Sequence, residues 1–168
     1  MSFWNLVGAG ILGFAINPPI SLYYIQGLNL TPSHGHAALF GVYGLLGIGL
    51  MLFCLRTSYR TAAWSDGLLK PAFWTMNIGL GAMVFLSLVP QGIYQAYHSV
   101  TTGFWYARSP EIVHSPVMET LVWMRVPGDT VFSAGAVLLA LFMAKLLIGP
   151  KARQPVEIEP EPAMVPAE

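Results

Sequence analysis

The stretch His34-Gly35-His36-Ala37-Ala38-Leu39-Phe40-Gly41-Val42-Tyr43-Gly44-Leu45-Leu46-Gly47-Ile48-Gly49-Leu50-Met51-Leu52-Phe53-Cys54-Leu55 contains no Asp, Glu, Lys or Arg. A membrane-crossing helix takes about 20 mostly apolar residues, and this run is long enough. Its two histidines are two residues apart, so on a helix they project about 200° away from each other. They cannot easily share one metal ion, but they can serve two ions on opposite sides of one helix. Imidazole is a common protein ligand of haem iron, and a histidine at membrane depth is costly without a partner. The pair therefore points to a helix wedged between two haems. A pair of interfacial histidines at a helix end is the simpler reading, and spacing alone leaves both open.

Composition supports the membrane assignment. Of 168 residues, 55% are hydrophobic and only 10% are charged, against roughly 25% charged in soluble domains. The charges are also segregated, with no Asp, Glu, Lys or Arg between residues 71 and 97. Formal net charge is zero, so nothing suggests nucleic acid as a partner; the expected surroundings are membrane lipid. The lone cysteine, Cys54, reads as a small apolar packing residue. Met1-Ser2-Phe3-Trp4-Asn5 lacks the positive start of a secretory signal.

Four spans follow from the apolar runs, giving an all-α integral membrane protein. They cover about 3–24, 34–55, 72–97 and 118–148. Asn17-Pro18-Pro19 should kink or break the first span, because two amide donors are missing there. The second is rich in glycine, which permits close approach of a neighbour or a flat ligand. A kink is expected at Pro90 in the third and an interruption at Pro127-Gly128 in the fourth. The transmembrane region thus ends near residue 149, and the Pro- and Glu-rich stretch 150–168 is expected to be a disordered tail. Arg56, Arg60 and Lys70 lie between spans two and three, and Lys145, Lys151 and Arg153 follow span four. The positive-inside rule places both regions, and both termini, in the cytoplasm. The loops 25–33 and 98–117 then face outward, with His98 and His114 solvated.

Polar residues within the spans have two readings each. Arg125 and Asp129 are four apart and share a face, so they form either a structural ion pair or a cation offered to an anionic group such as a haem propionate. Arg108 is either a loop anchor or a second propionate partner. Asn77, Gln91 and Gln95 read as hydrogen-bonding groups between helices.

The segment Leu30-Thr31-Pro32-Ser33-His34-Gly35-His36-Ala37-Ala38-Leu39-Phe40-Gly41-Val42-Tyr43-Gly44 resembles the haem-ligand helix of the nitric oxide reductase large subunit, a branch of the haem-copper oxidase subunit I superfamily. Asn17-Pro18-Pro19-Ile20 with Tyr23-Tyr24 looks like the preceding family helix. Asn77-Ile78-Gly79-Leu80 with Leu86-Ser87-Leu88-Val89-Pro90 looks like the following one. Trp105-Tyr106-Ala107-Arg108-Ser109 and Trp123-Met124-Arg125-Val126-Pro127-Gly128-Asp129-Thr130 look like the end of the quinol-dependent type rather than the cytochrome c-dependent type. The match extends to about residue 148.

This resemblance implies that His34 is the proximal ligand of a high-spin catalytic haem (haem b3) and His36 an axial ligand of a low-spin haem b. The implied reaction, in an inner membrane and in respiration or denitrification, converts two NO to N2O and water with two electrons and two protons. Electrons would come from quinol. A non-haem iron is also implied, but its three histidines and nearby glutamates belong to earlier helices of the family. The four histidines here are too few to build that centre as well. The four spans correspond to the last helices of the family bundle, so the chain is expected to be a C-terminal portion, inactive alone. Its partners would be the N-terminal helices of the same enzyme. The alternatives are a free-standing four-helix haem protein for electron transfer or gas sensing, and a scaffold without a cofactor.

Overall fold

The computed structural model describes residues 1–58, 64 and 66–148, and every regular element among them is helical. The elements are α1 (Ser2–Ile16), α2 (Pro19–Ile25), α3 (Leu30–Thr57), α4 (Asp66–Thr101), α5 (Pro110–Val113), α6 (Pro116–Trp123) and α7 (Arg125–Ile148). Three continuous helices are long and apolar enough to cross a membrane: α3, α4 and the α6–α7 run. The first span is broken at Asn17-Pro18-Pro19 as expected, with α1 and α2 meeting at 87°; counted as one bent span, the pair makes four. Asn17 and Pro18 form that corner. Pro18 is extended at ψ 140°, as proline at a helix start allows, and the Asn17 side-chain amide donates to the Gly13 carbonyl. Arg60, Lys151, Arg153 and the whole tail 150–168 lie outside the described residues.

The two prolines of the later spans are accommodated differently. The helix runs on to Thr101 through Pro90. The turn before it, Met83–Leu88, is wound in the wider π form, which makes room for a proline ring that would otherwise meet the Leu86 carbonyl. In the fourth span the break comes at Met124, before Pro127 rather than at it. Pro127 lies in the first turn of α7, where a missing amide hydrogen breaks no helical bond. The helices also run past the expected limits, and the continuation of α4 takes His98 out of the loop. Its ring is half-buried against Tyr94, Tyr97 and Tyr106, whereas His114 is exposed as expected. Cys54 is exposed as well, not packed.

The core lies where α1, α3 and α4 cross. Trp4, Ala37, Leu80, Met83, Val84 and Leu88 are buried together there. α4 and α7 approach until their backbones touch, because glycine faces the partner on both sides. A Cβ at Gly79 would lie 2.4 Å from the Phe132 amide nitrogen, and one at Gly128 would lie 2.6 Å from that of Met83. Ser115 starts α6 by accepting from the Met118 amide, with Pro116 in the first helical position. Much of the outer surface is apolar, including Phe14, Ile20, Phe53, Trp74, Val137 and Leu141, which suits lipid or further helices but not water.

Candidate functional site

Both histidines sit in the first three turns of α3 and have their Nδ1 atoms fixed. The His34 Nδ1 lies 2.8 Å from the Gly8 carbonyl oxygen, and the His36 Nδ1 lies 2.8 Å from the Pro32 carbonyl oxygen. A carbonyl oxygen only accepts, so each Nδ1 is a donor, and at His36 the Arg125 N–H facing Nε2 leaves the lone pair on that nitrogen. That is the tautomer a metal ligand needs, and the backbone bond to the other nitrogen is the usual device that orients it.

The rings have different neighbours, as their 200° separation requires. His34 faces α1. A Cβ at Gly13 would lie only 3.0 Å from its Cε1, so glycine there leaves space for the ring. α1 and α3 also cross closely at Gly8, where a Cβ would lie 2.6 Å from that of Ala37. Residues 5–12 are π-wound around this contact, as is Leu39–Gly44 just beyond His36; such widened turns often mark functional positions.

His36 faces α4 and α7. It borders a groove of about 270 Å3 together with Phe40, Leu80, Met83, Arg125 and Asp129. Within it the Arg125 Nη2 donates toward the His36 Nε2 at 3.2 Å, and the Arg125 Nε donates to the Asp129 carboxylate at 3.0 Å. The groove is smaller than the roughly 300–1,000 Å3 of an enclosed ligand site. It can take one edge of a flat macrocycle, and the remaining wall must come from another segment. The donor set suits a haem: two imidazoles whose Nδ1 atoms are held by backbone carbonyls, a cation beside one of them, and Phe40, Leu80, Met83 and Phe132 as apolar wall.

Arg108 is not among the residues lining this groove. Its Nη1 donates to the Phe104 carbonyl at 2.9 Å, its Nη2 donates to the Gln26 carbonyl, and its guanidinium lies 3.6 Å from the centre of the Phe104 ring. It clamps the loop after α4 onto the turn between α2 and α3. The polar residues of α4 do join helices: Asn77 accepts from the Trp4 indole, Gln91 accepts from Asn29, and Gln95 accepts from the Asn29 backbone. Among the described residues, no three His, Cys, Asp or Glu side chains converge on one point.

A family model described as "Cytochrome C and Quinol oxidase polypeptide I" matches residues 1–131. That match includes both histidines, Arg108, Arg125 and Asp129.

The chain belongs to the haem-copper oxidase subunit I family.

Members of this family bind haem. The membrane-spanning helices and family membership together make this a multi-pass membrane protein of an oxidoreductase family. Sequence reading missed Gly8 and Gly13, whose only signal was the spacing of small residues Gly8, Gly10 and Gly13 in an apolar helix.

Proposed function

We propose that this haem-copper oxidase family chain is the C-terminal portion of a quinol-dependent nitric oxide reductase. The observation that carries its ligand role is the orientation of two imidazoles on one helix, each held at Nδ1 and each against a different neighbour. The branch assignment rests on the sequence around Trp105–Ser109 and Trp123–Thr130.

In this reading His34 would hold the high-spin catalytic haem, and His36 the low-spin haem b. Bound haems supply one-electron carriers and, with a non-haem iron held by other helices, the place where two NO, two electrons and two protons become N2O and water. This chain's residues supply orientation and charge. The Gly8 carbonyl keeps the proton of His34 on Nδ1 and raises the basicity of Nε2. The Pro32 carbonyl does the same for His36. Arg125 must yield the His36 Nε2 lone pair to a metal, and remains anchored by Asp129 as a cation for a propionate. We assign the loop-anchor role to Arg108. The protein then lies in the inner membrane with both termini cytoplasmic, bound to the N-terminal helices of the enzyme and fed by quinol.

The test is co-expression with those helices, followed by haem counting, redox spectra and quinol-driven NO consumption. Loss of the high-spin signal in His34→Ala, and of the low-spin signal in His36→Ala, is the expected result. An assembled enzyme that consumes O2 but not NO overturns the branch assignment. Stable haem binding by the chain without its companion favours a free-standing haem protein instead.

A further inference from the structure

Gln91 is the centre of a buried hydrogen-bond network that touches neither histidine. Its Oε1 accepts from the Asn29 Nδ2 at 2.9 Å. Its Nε2 donates to the Ser87 Oγ at 2.8 Å and toward the Leu121 carbonyl at 3.3 Å. Ser87 donates to that same carbonyl at 2.8 Å. Gln91 is 5% exposed and Ser87 0%, so polar groups here are costly unless paired. The Leu121 carbonyl can only accept, which fixes which end of the Gln91 amide faces it. The amide therefore has one orientation, with its oxygen toward α3 and its nitrogen toward α6.

Those two directions lead to the two polar contacts of His36. On the α3 side, Asn29 precedes the first turn, and its own amide is held by the Gln95 Oε1 at 3.0 Å. Gly92, next to Gln91, lets that turn rest on the α4 backbone: a Cβ there would lie 2.5 Å from the Leu30 amide nitrogen. Pro32, in the same turn, supplies the carbonyl that orients the His36 Nδ1. On the other side, Leu121 lies one turn before Arg125, whose Nη2 meets the His36 Nε2. One amide thus ties together the segment carrying Pro32, which holds the His36 Nδ1, and the segment leading to Arg125, which stands beside the ring.

We propose that Gln91 is a positioning residue for the haem held at His36, setting the imidazole's orientation relative to Arg125 and thereby the reduction potential and ligand field of that haem. The inference rests on His36 being a haem ligand, as proposed above. Gln91→Glu separates the two arms, because an ionised carboxylate still accepts from Asn29 but cannot donate to Leu121. Gln91→Leu removes both arms, and Ser87→Ala removes a single donor to the Leu121 carbonyl.

The experiment is a redox titration of both haems in the assembled enzyme, with electron paramagnetic resonance of the ferric low-spin haem. Gln91→Glu and Gln91→Leu should change the low-spin oxidised-to-reduced ratio at a fixed poise about threefold or more and move the low-spin g values. The high-spin midpoint should stay in place, and Ser87→Ala should give a smaller shift of the same sign. Wild-type potentials and g values in variants of full haem content overturn the proposal. Equal shifts of both haems also overturn it, since general loosening acts on both. If Gln91→Leu fails to assemble, Gln91→Glu and Ser87→Ala decide. His36→Ala in parallel separates the two failures. If it keeps the low-spin haem, the ligand reading falls and takes this proposal with it; if it loses that haem, the Gln91 variants alone settle the positioning role.

Discussion

The Arg125 Nη2 stands 3.2 Å from the His36 Nε2, joining helices 89 residues apart in sequence. An Arg125 N–H can only donate, so the Nε2 facing it accepts, while the Nδ1 donates to the Pro32 carbonyl. The contact is a charge-assisted hydrogen bond from a permanent cation to a lone pair. Asp129 completes the arrangement 3.0 Å from the Arg125 Nε, but both members are substantially exposed, at 37% and 44%. An ion pair so exposed adds little to stability. Its value lies in the charge it places beside His36.

That charge predicts opposite effects for its two members. A nearby cation favours the reduced state of a haem, so Arg125→Ala should lower the midpoint potential of the haem at His36. Asp129→Asn should raise it, and the double variant should return toward wild type. A unit charge near a protein surface is worth roughly 1–4 kcal/mol at short range, ample for detection by redox titration. Shifts of the same sign in the two single variants would remove this electrostatic account.

The sequence carried the ligand pair but not its supports. Two-residue spacing on a helix dictates opposite faces, so the division of His34 and His36 between α1 and α7 was legible. The carbonyl holding His34 belongs to Gly8, and a backbone acceptor leaves no mark in side-chain chemistry. It is reached only because Gly8 lets α1 cross α3 at Ala37. The proline corner at Asn17-Pro18-Pro19 was legible because two adjacent missing donors have no local remedy. The break expected at Pro127 falls at Met124 because that proline sits in a helix start, and a widened turn before Pro90 lets its helix run on. Arg108 offered two readings, and only the positions of Phe104 and Gln26 favour the anchor. His98 seemed solvated because periodicity ends at Tyr97, whereas packing carries α4 one turn further.

Trp4 provides a test of how α1 is held. It is 2% exposed, lies so close to Gly41 that a Cβ there would meet its ring at 2.4 Å, and donates its indole N–H to Asn77 at 3.0 Å. Trp4→Phe keeps much of the ring but leaves the Asn77 oxygen without that donor, at a cost of about 1–3 kcal/mol. Asn77→Leu added to Trp4→Phe should recover part of the loss, because no polar group is then stranded. Thermal unfolding of the four members of this double-mutant cycle in detergent measures the coupling.

The membrane orientation has a direct chemical test. If the positive-inside rule holds here, Thr102, at the end of α4, faces outward and Asp66, at its start, faces the cytoplasm. In a Cys54→Ala background, Thr102→Cys should react with a membrane-impermeant maleimide on intact spheroplasts, and Asp66→Cys only after permeabilisation. Both positions lie outside the apolar body of α4, and both are exposed. The reverse pattern would invert the topology and place His34 and His36 near the inner face.

The crossing of α1 and α3 should be the most sensitive point for the haem at His34. Gly8 is the acceptor for that ring, and a Cβ at this position would lie 2.6 Å from the Ala37 Cβ and 2.8 Å from its carbonyl carbon. Ala37 is 0% exposed and cannot move away from the contact without shifting α3 itself. Gly8→Ala must therefore separate the helices, with an overpacking cost of about 1–3 kcal/mol and a lengthened bond to the His34 Nδ1. The expected result is a lower melting temperature together with loss or alteration of the high-spin haem signal, while the low-spin signal at His36 changes less. Ala37→Gly combined with Gly8→Ala removes the methyl clash but not the one with the Ala37 carbonyl, so it should recover stability and spectrum only in part. If Gly8→Ala melts at the wild-type temperature with an unaltered high-spin signal, the close crossing does not orient His34. If the exchange recovers nothing, the clash lies with the Ala37 carbonyl rather than with its methyl group.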